Sequence, residues 1–434
     1  MEKLVVHGGQ PLTGTLSVSA SKNAALPLMA AALLPHGVTV LDQIPQLRDI
    51  TTFSHVMRIT GASVQCMDRK LTIDASRVDF PEAPYDLVKK MRASFYMLGA
   101  LLGRCGQARV SLPGGCAWGP RPVDLHLEGL KALGAEIDLD EGYVVAHAPR
   151  GRLSGGSYRF EPSSVGATVN LLLAACLGSG GSRIENAAIE PDVLVFCEML
   201  TAMGAKLEGI GTRTIEVEGV AELHPVQFSN CPDRIELGTF MIAAAIAGIP
   251  DQPVVMTHTR SDHLGNEFLD AFQGTGAKCI IDDSNSTITV TAPERLTPVS
   301  ITTGIYPGFP TDLQAQWTVL LACADGSATV TDQVYGDRFN HIPELARMGL
   351  MAHVSGNQVT VQGGKPLSGA RVMSTDLRAS VSLVLAAMVA KGTTHVGRIY
   401  HLDRGYEALE SKLSQCGIQI RREQYDEFAA VHQG

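Results

Sequence analysis

The chain has 434 residues, 45% of them apolar but only 5% aromatic, and carries a net charge of −9. That length fits two domains of roughly 200 residues each, and an interior of Ala, Val, Leu and Ile rather than stacked rings favours an α/β protein over a β-sandwich. The acidic balance argues against nucleic acid or an anionic membrane as partner, because phosphate surfaces reward clustered Lys and Arg; an anionic ligand must find a local basic site.

At the N-terminus, MEKLVVHGGQ lacks the basic segment, apolar run and small-residue cleavage site of a secretory signal, so a cytoplasmic protein is expected. The most apolar stretch, Ala24 to Leu34, contains Pro27 and is far shorter than the ~20 residues that span a bilayer. Nine cysteines without a CxxC pair or regular spacing suit a reducing compartment better than a disulfide framework or a zinc site, and most are expected in the core.

Along the chain one unit recurs. Lys22-Asn23 opens an apolar run that leads to a strand at Val38-Thr39-Val40, and an amphipathic segment then closes at Gly61-Ala62. The second copy opens near Arg92. Its amphipathic helix places Val123, Leu127, Leu130 and Leu133 on one face and closes at Gly134-Ala135; strand, turn and strand follow at Ile137–Leu139, Asp140–Gly142 and Tyr143–Val145. The third copy opens at Ser164-Val165-Gly166 and closes at Gly204-Ala205, with a domain boundary expected at Asn230 to Asp233. Asp233-Arg234 and Gly276-Ala277 bracket the fourth, Thr311-Asp312 and Gly349-Leu350 the fifth, Asp376-Arg378 and Gly417-Ile418 the sixth. The closing glycines lie roughly 70 residues apart, which marks six copies of a helix–strand–helix–hairpin unit. Runs such as AALPLMAAALL and ASVSLVLAAMVA are apolar on every side, so the first helix of each copy should be buried and the second should face outward. Two domains of three copies are the simplest partition.

A buried helix leaves its first N–H groups unpaired and carries partial positive charge there, which suits an anion. The plain reading of these polar openings is helix capping. As a set they would also make a shared cleft positive in an acidic protein, fit for a substrate with several phosphates or carboxylates. Between Ser111 and His126, SLPGGCAWGPRPVDLH is a Gly/Pro-rich loop, a plausible lid, with Cys116 between glycines and Arg121 nearby, a setting that exposes a thiol and favours its ionised form.

Several blocks in order, SKNAALP from Ser21, PYDLVKKMRAS from Pro84, SLPGGC with RPVDLH, SVGAT from Ser164, FPTDLQAQ from Phe309, RFNHIPEL from Arg338, TDLRAS from Thr375 and RIYHLDRGYE from Arg398, make the chain resemble the enolpyruvyl transferases over nearly its full length. The PGGC loop is similar to the UDP-N-acetylglucosamine branch rather than the shikimate branch. The resemblance implies a two-domain inside-out α/β barrel of six repeated units, three per domain, with buried helices and outer sheets. It likewise implies that residues 22–231 form the N-terminal domain and residues 1–21 with 232–434 the C-terminal one, with the active site expected in the cleft between. The implied reaction protonates the methylene carbon of phosphoenolpyruvate, adds a sugar hydroxyl to the cationic carbon, then loses phosphate and a proton, with no metal or redox cofactor and no oligomer implied.

By resemblance, Lys22, Arg121 and Arg398 hold phosphoenolpyruvate with Asn23 nearby, and Cys116 is the proton donor, whose thiolate can also form a covalent adduct. Asp312 orients or deprotonates the sugar hydroxyl, its plain alternative being a helix cap. Arg92, Arg121, Pro122, Val123, Asp124, Leu125, Ser164, Val165 and Val334 surround UDP-N-acetylglucosamine, and Arg338, Asp376 and Arg378 complete the wall. The chain departs from the family pattern at Ala20-Ser21 (usually Gly-Ala), at Trp118 and Pro120 in the lid, and at Pro162, where some members carry Lys. Two other readings stand beside this one: an enolpyruvyl transferase for shikimate 3-phosphate or a modified nucleotide sugar, and an inactive regulator that binds a UDP-sugar.

Overall fold

The computed structural model describes residues 1–89, 91–113 and 123–425; Cys116, Arg121 and Pro122, with Trp118 and Pro120, lie outside the described residues. The chain forms two compact units, one continuous (Ala20–Cys231) and one split (Met1–Ser19 with Pro232–Gly434).

Each unit holds three helices that are buried nearly all round. They are Lys22–Ala31, Tyr96–Cys105 and Val165–Ala175 in the continuous unit, and Arg234–Ala247, Gln314–Cys323 and Leu377–Val389 in the split one. Within each unit the three pack against one another, because an all-apolar helix has no face that water stabilises. Around them stand six separate four-stranded sheets. Their strands alternate buried and exposed residues, as in Val38–Asp42 and Thr287–Thr291, so one face covers the helices and the other meets solvent. Helices inside and sheets outside give the inside-out α/β architecture. Among the described residues no helix is long and apolar enough to cross a membrane.

The six sheets share one topology: an edge strand parallel to the second, then two antiparallel neighbours. Periodicity finds the last three strands but not the edge strand ahead of each buried helix, such as Glu82–Ala83 or Arg371–Met373. These are 2 and 3 residues long, too short to show alternation.

Two such edge strands exchange units. Gly14–Ser17 precedes the helix Lys22–Ala31 yet pairs with Val254–Thr257 in the split unit, while Gln227–Ser229 precedes Arg234–Ala247 yet pairs with Val38–Asp42 in the continuous one. The sixth copy is completed from the other end of the chain, with Glu2–His7 inserted between Thr393–Gly397 and Gln419–Gln424.

The second helix of every copy ends as the glycine spacing predicts. Gly61, Gly134, Gly204, Gly276, Gly349 and Gly417 all have φ between 88° and 107°, the left-handed region that Gly enters without penalty. At Gly134 the bond from Ala135 N–H to Leu130 O is 3.0 Å and that from Gly134 N–H to Lys131 O is 2.9 Å, the paired pattern that satisfies the last carbonyls and turns the chain into the next strand. The hairpin Glu136–Asp140 to Tyr143–His147 then closes on Glu141 and Gly142, both at positive φ.

The cysteines depart from expectation. Of eight described, all free, Cys176, Cys197, Cys231 and Cys416 are buried, Cys105, Cys279 and Cys323 half-buried, and Cys66 exposed. Half rather than most lie in the core: Cys66, Cys105 and Cys279 occupy a hairpin strand, a helix end and an edge strand, where one side is open.

Candidate active site

Capping explains four of the six helix openings. Ser21, Ser164, Asp233 and Asp376 each accept backbone N–H bonds from the first turn, an arrangement that contributes about 1 kcal/mol per helix. Asp376 is fully engaged, with Oδ1 accepting from Arg378 N (2.9 Å) and Ala379 N (3.1 Å) and Oδ2 accepting from the Thr375 hydroxyl (3.2 Å). The other two openings, Arg92 and Thr311-Asp312, instead begin short 3₁₀ turns, Arg92–Phe95 and Thr311–Leu313, that run into their helices without a side-chain cap.

Asp312 is therefore not a cap. Its two oxygens face two guanidinium groups: Oδ1 is 2.9 Å from Arg338 Nη2, and Oδ2 is 2.9 Å from Arg378 Nη2. The arginine side chains are 11% and 5% exposed and that of Asp312 27%, so the carboxylate keeps an open side while its partners are enclosed. Burial by itself would raise the Asp312 pKa, but Arg378 and Arg338 outweigh it and hold the carboxyl well below the usual range. Burial disfavours the Arg378 charge, and Asp312 more than restores it. The group is a permanently ionised acceptor, suited to orient a hydroxyl and weak as a base.

At the far end of the split unit's last sheet, Arg398 is exposed and sits at φ 57°, so a non-glycine side chain is held on left-handed backbone. It leads into the turn Ile399–Arg404. Arg404 is half-buried, and with burial it depresses the pKa of His401 ahead of the effects of Asp376 and Arg398. Sequence reasoning passed over Arg404 although it stands in the RIYHLDRGYE block. Val334 is half-buried and donates its N–H to Asp332 Oδ1 at 3.0 Å.

In the continuous unit, Lys22 is the first residue of its buried helix, largely enclosed, with Nζ 3.5 Å from Asp49 Oδ2. Ser21 takes an ordinary extended conformation (φ −65°, ψ 123°); its hydroxyl accepts from Ala24 N at 3.1 Å and donates to Asp192 Oδ1 at 2.7 Å. The hydroxyl at this departure from the family pattern thus anchors the turn that carries Lys22 and the half-buried Asn23. Buried His126 has its pKa pushed down to about 3 by burial and then by the Arg92 charge, and its ring lies against Gly166 at the start of Val165–Ala175. Arg92 and the Ser164-Val165 opening are thereby brought to one neighbourhood. Val123 is buried, Asp124 is the exposed first residue of Asp124–Ala132, and Leu125 is half-buried.

The comparisons agree with one another. A sequence profile of the family described as EPSP synthase (3-phosphoshikimate 1-carboxyvinyltransferase) matches residues 6–413. The UDP-N-acetylglucosamine 1-carboxyvinyltransferase of Chloroherpeton thalassium is 54% identical over 430 residues, covering 99% of each chain. That of Chlorobaculum parvum is 50% identical over 430 residues, covering 99% of this chain and 100% of the relative. Among solved structures, the enolpyruvyl transferase NikO from Streptomyces tendae is similar with a TM-score of 0.88 at 27% identity, over 98% of this chain and 99% of that one. EPSP synthase from Acinetobacter baumannii gives 0.75 at 17% identity, over 98% and 100%, a likeness of fold alone.

Proposed function

This chain belongs to the EPSP synthase family of enolpyruvyl transferases, and from that premise we infer that it moves the enolpyruvyl group of phosphoenolpyruvate onto the 3-hydroxyl of UDP-N-acetylglucosamine. Addition is followed by elimination of phosphate and a proton of the new methyl group, and the product enters peptidoglycan precursor synthesis as its first committed intermediate. The observation that carries this reading is the 54% identity, over 99% of both chains, to a relative named for that activity. The shikimate 3-phosphate reading has only a 17% identical structure and the wider family's description beside it.

On this reading Cys116 delivers the proton to the methylene carbon. Lys22, Arg121 and an arginine of the RIYHLDRGYE block, Arg398 or Arg404, hold the phosphate and carboxylate. Asn23 lies near phosphoenolpyruvate, while Arg92, Arg121, Pro122, Val123, Asp124, Leu125, Ser164, Val165, Val334, Arg338, Asp376 and Arg378 bind the nucleotide sugar or support its site. Asp312 accepts a hydrogen bond from the attacking hydroxyl, aims its lone pair at the cationic carbon, and takes the hydroxyl proton only once the new C–O bond has made it strongly acidic. Its pairing with Arg338 and Arg378 supports orientation over outright deprotonation, because a carboxylate so stabilised is a poor base. The enzyme works in the cytoplasm, where thiols such as the eight free cysteines among the described residues stay reduced, and through cell-wall synthesis bears on cell shape and division.

The test is phosphate release from phosphoenolpyruvate with either UDP-N-acetylglucosamine or shikimate 3-phosphate, repeated with Cys116→Ala. Release only with the UDP-sugar, strongly slowed in the variant, is the expected result. Release with shikimate 3-phosphate would overturn the acceptor. Silence with both, together with tight UDP-sugar binding, would favour a regulatory protein.

A further inference from the structure

Neither arginine that grips Asp312 is held by that contact alone. Arg378 Nη1 donates to the Tyr406 hydroxyl at 3.3 Å, and that hydroxyl lies 2.9 Å from Thr239 Oγ1. Thr239 spends its own proton on Ile235 O at 2.7 Å, so Tyr406 must donate to Thr239. The phenol's lone pairs are then left for donors, Arg378 and Gln316 Nε2 (3.3 Å), whose two hydrogens are shared with Asp312 O (3.0 Å) and Thr239 Oγ1 (3.1 Å). Hydrogen-bond direction is fixed along the whole series from Arg378 to Ile235.

A second series holds Arg338. Its Nη1 donates to Thr311 Oγ1 at 3.1 Å, and Thr311 donates to Asp332 Oδ2 at 2.7 Å. The other oxygen of Asp332 accepts from Thr303 Oγ1 (2.7 Å), Val334 N (3.0 Å) and Tyr335 N (2.8 Å). Asp332 is 0% exposed and Tyr406 2%. A buried carboxylate that collects four donors and a buried phenol with a single donor direction are far stiffer anchors than water.

We propose that Tyr406 and Asp332 are positioning residues for the reaction, each fixing through one hydroxyl relay one of the two arginines that aim the Asp312 carboxylate. The proposal rests on the reading in which Asp312 orients the substrate hydroxyl. Two independent anchors are what a carboxylate needs if its angle matters, since one guanidinium alone leaves rotation about the Cβ–Cγ bond open.

The full-length chain with Tyr406→Phe and with Asp332→Asn, alone and combined with Asp312→Asn, is assayed for kcat and for KM of both substrates, with melting curves to establish folding. Thr239→Val removes the acceptor of the first relay while leaving the phenol in place, and serves if Tyr406→Phe does not fold. Each relay variant is expected to lower kcat about tenfold or more with little change in KM, and to add little further loss in the Asp312→Asn background. Parental kcat in folded relay variants, or an undiminished loss without the Asp312 charge, would overturn the proposal. Full activity of Asp312→Asn would instead remove the reading of Asp312 on which the relays depend.

Discussion

Arg378 and Asp312, 66 residues apart in the chain, are joined through Nη2 and Oδ2 at 2.9 Å, which ties the openings of two buried helices from successive copies. Asp376, by contrast, spends its carboxylate on its own helix. Two aspartates at equivalent openings thus do different things, and substitution should separate them.

Asp312→Asn is expected to lower kcat about a hundredfold or more. It should also lower the melting temperature, because Arg338 and Arg378 lose the charge that compensates their burial; losing one partner of a buried pair costs about 3 kcal/mol or more. Asp376→Ala should cost only about 1 kcal/mol, the value of a cap, and Asp376→Asn should restore most of it. Chemical denaturation of the three variants checks the order.

Arg398 and Arg404 offer a choice of anion ligand within one block. Arg398 is exposed on strained backbone, whereas Arg404 is half-enclosed and acts more strongly on His401. A half-enclosed cation is screened less and reaches a bound anion with less ordering. Arg404→Ala is therefore expected to raise KM for phosphoenolpyruvate at least tenfold, and Arg398→Ala by less. Steady-state kinetics of the two variants side by side would show the reverse order if Arg398 is the ligand.

His126 and His341 bear on stability below neutral pH. Burial, then Arg92 for the first and Arg338 for the second, pushes both pKa values down to about 3. A depressed pKa means that the unfolded chain binds protons the folded chain refuses, so this contribution is complete above pH ~6.5 and is lost progressively as pH falls toward 3. Each histidine contributes a slope of about 1.4 kcal/mol per pH unit in that window. Denaturation midpoints should fall from pH 7 to pH 5, and His126→Gln or His341→Gln should flatten the fall by about one histidine's share. An unchanged slope in both variants would place the pH dependence elsewhere.

The repeat was legible because its signals are local. A glycine at positive φ after an amphipathic helix is required by the backbone whatever surrounds it, so spacing alone located Gly134 and its five counterparts. All-apolar runs such as Leu377–Val389 announce burial in the same way. The edge strands were not legible, since 2 to 4 residues carry no period, and nothing in Gly14–Ser17 says that it pairs in the unit opposite to the helix that follows it.

Site residues divide on the same line. Motif blocks marked Lys22, Arg92, Ser164, Asp312 and Arg378 as residues of interest, but a Ser or Asp at a helix start reads as a cap and as a ligand equally well. Asp332 gave no signal, being one aspartate at a strand end, and Tyr406 was hidden in a block whose charged residues drew the reading.

By itself the sequence determined the sixfold repeat, the buried helices and family membership, because backbone conformation, hydrophobic periodicity and motif order are properties of neighbouring residues. Only the tertiary structure decided that Asp312 faces two arginines while Asp376 caps, and that Tyr406 and Asp332 stand behind those arginines. Those contacts between copies and behind the arginines join residues 21 to 66 positions apart, and which hydroxyl meets which guanidinium is settled by the packing of helices that share a core.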